Sequence, residues 1–147
     1  MREILFRGKS VENGEWVEGY YGYTPLKTSI EEVRAEDFFP RAWIADRKGF
    51  GCFVDPETVG QFTGLTDKNG VKIFEGDIVN IKEHVSYING WYKVVYDTRN
   101  HYWALKRDPE YSHCYLTFSA LNGFAEDSEV IGNIFDNPEL VEEVTNA

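Results

Sequence analysis

Six polar residues crowd one stretch of the chain and could do chemistry together: Asp55, Glu57, Asp67, Lys68, Glu75 and Asp77. Paired carboxylates can divide acid and base duty or hold a magnesium ion. Their neighbours argue for another job. Asp55 precedes Pro56, Asp67 lies in the run Thr66-Asp67-Lys68-Asn69-Gly70, and Asp77 follows Gly76 at a strand entry. Short polar side chains beside Gly and Pro close turns by accepting backbone amides, so each of these acids is assigned to a turn. Asp97 and His101 share a similar run, Asp97-Thr98-Arg99-Asn100-His101, and are read as surface turn residues rather than an acid–base pair.

Other chemistries lack their residue patterns. The sequence has no phosphate-binding glycine loop, GxSxG elbow, HExxH or CxxC. Cys52 and Cys114 are its only cysteines, too far apart for the paired spacing of zinc sites. His113 and Cys114 are adjacent, so in a strand they would point to opposite faces. No catalytic, cofactor-binding or metal-binding residue is assigned, and the two thiols are expected to be reduced, as in a cytoplasmic protein.

The segment from His84 to Phe118 is the compositional anomaly. It holds all three histidines, nine aromatic rings and four bases against three acids. Trp91, Tyr102 and Trp103 are the candidates for partner binding. Rings interleaved with bases can stack single-stranded nucleic acid, or they can form a protein-binding patch rich in Tyr, Trp and Arg. An ordinary strand core with outward-facing Tyr is the bland alternative.

These residues need a scaffold, and the pattern is one of strands. Asn-Gly pairs at 13–14, 69–70, 89–90 and 122–123 signal tight hairpins, in which both central residues take positive φ. The alternation in Ile78-Val79-Asn80-Ile81-Lys82 puts Val79 and Ile81 on one face. By the same rule Tyr92, Val94 and Tyr96 share a face, as do Trp103 and Leu105. An antiparallel meander follows. Two short helices are expected, one capped by Ser29 with Glu32 and one by Asn137 with Pro138 at its first position. The net charge of −10 is uneven, because Glu126 to Ala147 carry seven acids and no base. That leaves 18 acids and 15 bases, a net of −3, for the first 125 residues. The first residues, Met1 to Arg7, are not expected to act as a signal peptide, and no apolar run here is long enough to be expected to span a membrane.

Three blocks stand out: Arg2 to Gly19, with Leu5-Phe6-Arg7-Gly8-Lys9 and Gly14-Glu15-Trp16-Val17-Glu18-Gly19; Val54 to Val79, VDPETVGQFTGLTDKNGVKIFEGDIV; and Glu129 to Leu140, EVIGNIFDNPEL. Together, in this order and spacing, they resemble the YopX family of phage and prophage proteins. The resemblance implies a small β-barrel of the SH3-like type with added strands and helical pieces, and it brings no assigned activity. The expected fold is therefore mainly β, a β-rich α+β meander with an SH3-like barrel and one or two short helices. The expected organisation is one unit, 1–147, with an N-terminal hairpin and variable insert (1–53) and a barrel lobe carrying the C-terminal helix (54–147). Within the central block Gly60, Gly64, Gly70 and Gly76 suit turns. Phe62, Leu65, Val71, Ile73, Ile78 and Val79 suit a core.

The function expected is that of a non-enzymatic, cytoplasmic phage accessory protein. It would contact an unknown phage or host protein, or form a homo-oligomer, with no cofactor and no membrane. Nucleic-acid binding by residues 84–118 is the first alternative, although the overall acidity opposes phosphate. A DNA mimic built on the acidic C-terminal segment is the second.

Overall fold

The computed structural model describes residues 3–24, 41–82, 84, 88–99, 101–107, 115–116 and 124–141. The chain divides into two compact units, Met1–Gln61 and Phe62–Ala147. Among the described residues all strand pairings are antiparallel and fall into two sheets.

In the N-terminal unit, β1 (Phe6–Lys9), β2 (Trp16–Thr24), β3 (Arg41–Ala45) and β4 (Gly51–Phe53) pair in succession. A 3-10 turn, Pro56–Thr58, leads into β5 (Gly60–Thr66), whose first two residues pair with β1. Alternation sends Ala42, Ile44 and Val54 into a small core, with Phe6, Val17, Tyr21, Cys52 and Val59 packed against it. Pro56 suits the first position of the 3-10 turn because the amide it lacks would have no partner there.

In the C-terminal unit the rest of β5 pairs with β6 (Lys72–Phe74). The second sheet runs β10 (Tyr115–Leu116), β9 (Tyr102–Lys106), β8 (Gly90–Asp97), β7 (Asp77–Ile81), β11 (Ser128–Asn133). The meander is therefore present, with β11 returning beside β7. It forms no closed barrel: among the described residues no pairing joins β10 to β11. Ile73, Val79, Ile81, Tyr92, Val94, Trp103, Leu105 and Ala125 make the larger core. Fully burying one such aliphatic or aromatic side chain stabilises by roughly 1.5–3 kcal/mol, so this unit carries the heavier apolar load.

The turns differ from expectation in an informative way. Gly14 and Gly70 take positive φ (70° and 80°), but His101 is the single non-glycine residue with positive φ among those described. The asparagines before those glycines do not, and the loops are longer than two residues. The reason is side-chain bonding. Glu15 donates its amide to Asn13 Oδ1 (2.9 Å), and Asn69 and Val71 donate theirs to Asp67 Oδ1 (2.8 and 2.9 Å). An Asx turn so formed needs only its last position left-handed. Asn89 instead exchanges two hydrogen bonds with the His84 backbone. Gly90 opens β8, where a Cβ would collide with the Arg107 guanidinium. Asn122-Gly123 and the helix expected at Ser29–Glu32 lie outside the described residues.

Near the C-terminus the register shifts between Val130 and Gly132, a β-bulge that leaves Ile131 the extra residue. Residues 138–141 form a short helix. Asn137 does not cap it with its side chain as expected. Its Oδ1 accepts the Asn133 amide (3.2 Å), so it fastens the helix start to the end of β11. Gly132 is required there, since a Cβ would strike the Asn137 amide group and stand 2.9 Å from Leu140 Cδ1.

Candidate functional site

Three aspartates of the central block hold backbone amides. Asp55 Oδ1 accepts the Glu57 amide (3.0 Å) and caps the 3-10 turn. Buried Asp77 accepts the Phe74 amide on Oδ2 (2.8 Å). Asp67, 5% exposed, takes two loop amides on Oδ1 and the Val130 amide on Oδ2 (2.9 Å), bridging 63 residues of chain. Turn duty is what all three do. Lys68 lies 3.6 Å from Glu129, and Glu57 is exposed. Among the described residues no three His, Cys, Asp or Glu side chains are placed to hold a metal ion.

The 84–118 segment divides between core and surface. Trp103, 4% exposed, belongs to the core and offers a partner no ring face, because β9 alternation points it inward with Leu105. Tyr96 stacks edge-on against it (5.0 Å, 68°). Trp91 and Tyr102 are half-buried on the opposite face, Trp91 beside Asn80 and Tyr102 beside Asp97. Six residues of β8 separate their rows, about 20 Å. Between them Lys93 and Lys106 stand directly opposite each other. Burial, and then the facing Lys106 ammonium, hold Lys93 below its ordinary range. Ile78 and Ala104 on this same face are fully buried, so the face is covered at its centre and Trp91 and Tyr102 mark its ends. Asp97 Oδ1 accepts the Arg99 amide, and Asp97 O accepts the His101 amide, which makes that run a hairpin turn. His113 and Cys114 lie outside the described residues.

The N-terminal unit holds a surface that sequence reading passed over. On the face away from its core lie Trp43 and Phe53, directly paired and edge-to-face at 4.7 Å, with Tyr20 one row away. Farther along, Arg7 and Lys9 lie 4.6 and 5.4 Å from the Trp16 ring centroid. The β3–β4 hairpin ends in a loop, Asp46-Arg47-Lys48-Gly49-Phe50, that leaves Phe50 75% exposed. The signal was available: an Asp three residues before a Gly between two apolar runs, the same arrangement as Asp67 and Gly70.

Within the acidic C-terminal segment Glu129 faces two lysines. Glu129 lies within 4.0 Å of both Lys68 and Lys82, and Asp127 within 3.9 Å of His84. Asp136 accepts a hydrogen bond from the Asn133 side chain. Glu142 and Glu143 lie outside the described residues. No helix among the described residues is long and apolar enough to cross a membrane.

A mainly β chain of two sheets, whose most distinctive sequence block is a set of carboxylate-closed turns, defines the class. The family model for YopX protein matches residues 5–142, and the chain belongs to the YopX family. Among solved structures it is similar to the crystal structure of protein EF1440 from Enterococcus faecalis, at 24% identity and a TM-score of 0.49, over 96% of this chain and 99% of that one. No curated protein matches it.

Proposed function

We propose that this is a phage- or prophage-encoded accessory protein that acts in the bacterial cytoplasm by binding a phage or host protein, or a copy of itself, without catalysis. The observation that supports this reading most is the employment of the central block. Its carboxylates Asp55, Asp67 and Asp77 hold backbone amides, so the block maintains the fold and function falls to exposed surface. Phage origin follows from what the YopX resemblance implies. Trp91 and Tyr102 are the partner contacts offered by the C-terminal unit, since half-buried rings at the ends of a strand suit an extended protein surface better than a small ligand. The test is light-scattering mass across a concentration series, with affinity purification from infected or lysogenic cells. A partner or dimer that the Trp91→Ala, Tyr102→Ala double variant loses, at unchanged melting temperature, supports the reading. A monomer that retains no partner sinks it.

A further inference from the structure

We propose that the solvent face of the N-terminal sheet, together with the Asp46–Phe50 loop, binds single-stranded nucleic acid. This goes beyond the protein-contact reading and uses the other unit. The first support is a set of rings on one face. Alternation buries Ala42, Ile44 and Val54, so their strand neighbours Trp43 and Phe53 project the other way, with Tyr20 on the adjoining strand. Tyr20 is 47% exposed. Successive rows on one face are about 7 Å apart, within reach of neighbouring bases in an extended strand. The floor beside Trp43 is open: Gly22 is its direct partner, and a Cβ built there would meet nothing within 4 Å.

The loop supplies the second support. Among the described residues Phe50 has the largest fractional exposure of the exposed large apolar side chains, yet the loop that carries it is firmly held. Asp46 Oδ1 accepts the amides of Lys48 (2.8 Å) and Phe50 (3.0 Å), Asp46 N donates to Phe50 O (2.8 Å), and Gly49 N donates to Asp46 O (3.1 Å). Gly49 sits at φ 85°, and Gly51 has no room for a Cβ against the Ile44 carbonyl. A ring held in water by a pre-formed loop loses little freedom when a base stacks on it. Arg47 and Lys48 precede the ring in the same loop, exposed, and make no ion pair among the described residues. Such cations suit phosphates passing a stacking platform. The overall acidity is weaker here. Residues 1–61 carry 11 acids and 8 bases, a net of −3, against 14 acids and 7 bases, a net of −7, in residues 62–147.

The experiment is fluorescence anisotropy of the full chain with labelled oligothymidylate and, separately, a duplex of equal length, at about 50 mM and 200 mM salt. Binding of the single strand in preference to the duplex, weakening as salt rises, is expected. Phe50→Ala and the Arg47→Ser, Lys48→Ser double variant should each weaken it about tenfold or more while the melting curve stays put. Both changes fall on exposed side chains, so folding failure does not confound them. No binding at low salt overturns the proposal, as does binding that ignores these variants or favours the duplex. Light scattering is the control: a dimer that Phe50→Ala dissolves would mean that a second copy occupies the face, and the proposal would fall.

Discussion

Two five-residue loops, Asp46–Phe50 in the N-terminal unit and Asp67–Val71 in the C-terminal unit, follow one plan. In each, an aspartate oxygen accepts the amides two and four residues on. The first and fifth residues also bond through the backbone, and a glycine with φ near 80–85° occupies the fourth place. The fifth side chain, Phe50 or Val71, is left in solvent. The difference lies in the second carboxylate oxygen and what surrounds it. Asp67 is buried and its Oδ2 reaches the Val130 amide, while Lys68 N bonds to Ser128 O, so that loop is sewn to β11. Asp46 is exposed, and the amides its carboxylate accepts, from Lys48 and Phe50, belong to its own loop. One turn design thus does two jobs: joining distant segments in one unit, presenting a ring to solvent in the other.

Replacing the two aspartates should separate those jobs most sharply. Asp67→Ala orphans three amides in a half-buried setting, and bonds to a charged acceptor are the costly ones to lose. A loss of about 2–4 kcal/mol by urea unfolding is expected. Asp46→Ala exposes its amides to water and should cost about 1 kcal/mol or less. Equal losses would mean that the loops do not differ as described.

Glycines sharpen the contrast next. Gly132→Ala drives a methyl into Asn137 and Leu140, at the join between β11 and the C-terminal helix, and should destabilise by about 1–3 kcal/mol. Gly22→Ala adds a methyl in open space and should stay within about 0.5 kcal/mol of the parent. Thermal melts of the two variants decide this, and a large effect at Gly22 would show that its face is occupied.

How far these features could be read from the chain depends on whether side chains or backbone decide them. The inward set Tyr92, Val94, Trp103 and Leu105 follows from period-two alternation, which fixes a face without knowledge of the partner strand. The turn roles of Asp55, Asp67 and Asp77 were legible because Pro and Gly flank them. Val71 was misplaced in the core: it is apolar and next to a strand, but Asp67 binds its amide and holds it at the loop's end, 49% exposed. Asn137 was legible as a helix-start residue but not as the acceptor for Asn133, which depends on the bulge at Ile131. The β3–β4 hairpin was missed because attention to Asn-Gly pairs passes over a loop whose positive φ follows Lys48. Trp103 shows the limit for the site residues. Composition marks an aromatic segment, but only strand register tells a core ring from one at the surface.

The smallest effect concerns the covered face of the C-terminal unit, where Lys93 and Lys106 oppose each other. Like charges directly across a strand pair destabilise by about 0.2–1 kcal/mol. Lys93→Met keeps the length of the chain that packs there and removes one charge, so at neutral pH the variant should be more stable by about that amount. The pH dependence has a definite sign. Lys93 in the fold lies below its ordinary 10.5, so between the two values the unfolded chain binds more protons and stability rises with pH. Below the folded value both states are charged and the full penalty is present. The advantage of Lys93→Met over the parent should therefore be largest at neutral pH and shrink as pH climbs toward 10.5. Urea midpoints across that range test it. A variant less stable than the parent at neutral pH would mean that an anion or an acidic side chain holds the two ammonium groups together. That would make this face, rather than the open one of the N-terminal unit, the place to look for a charged ligand.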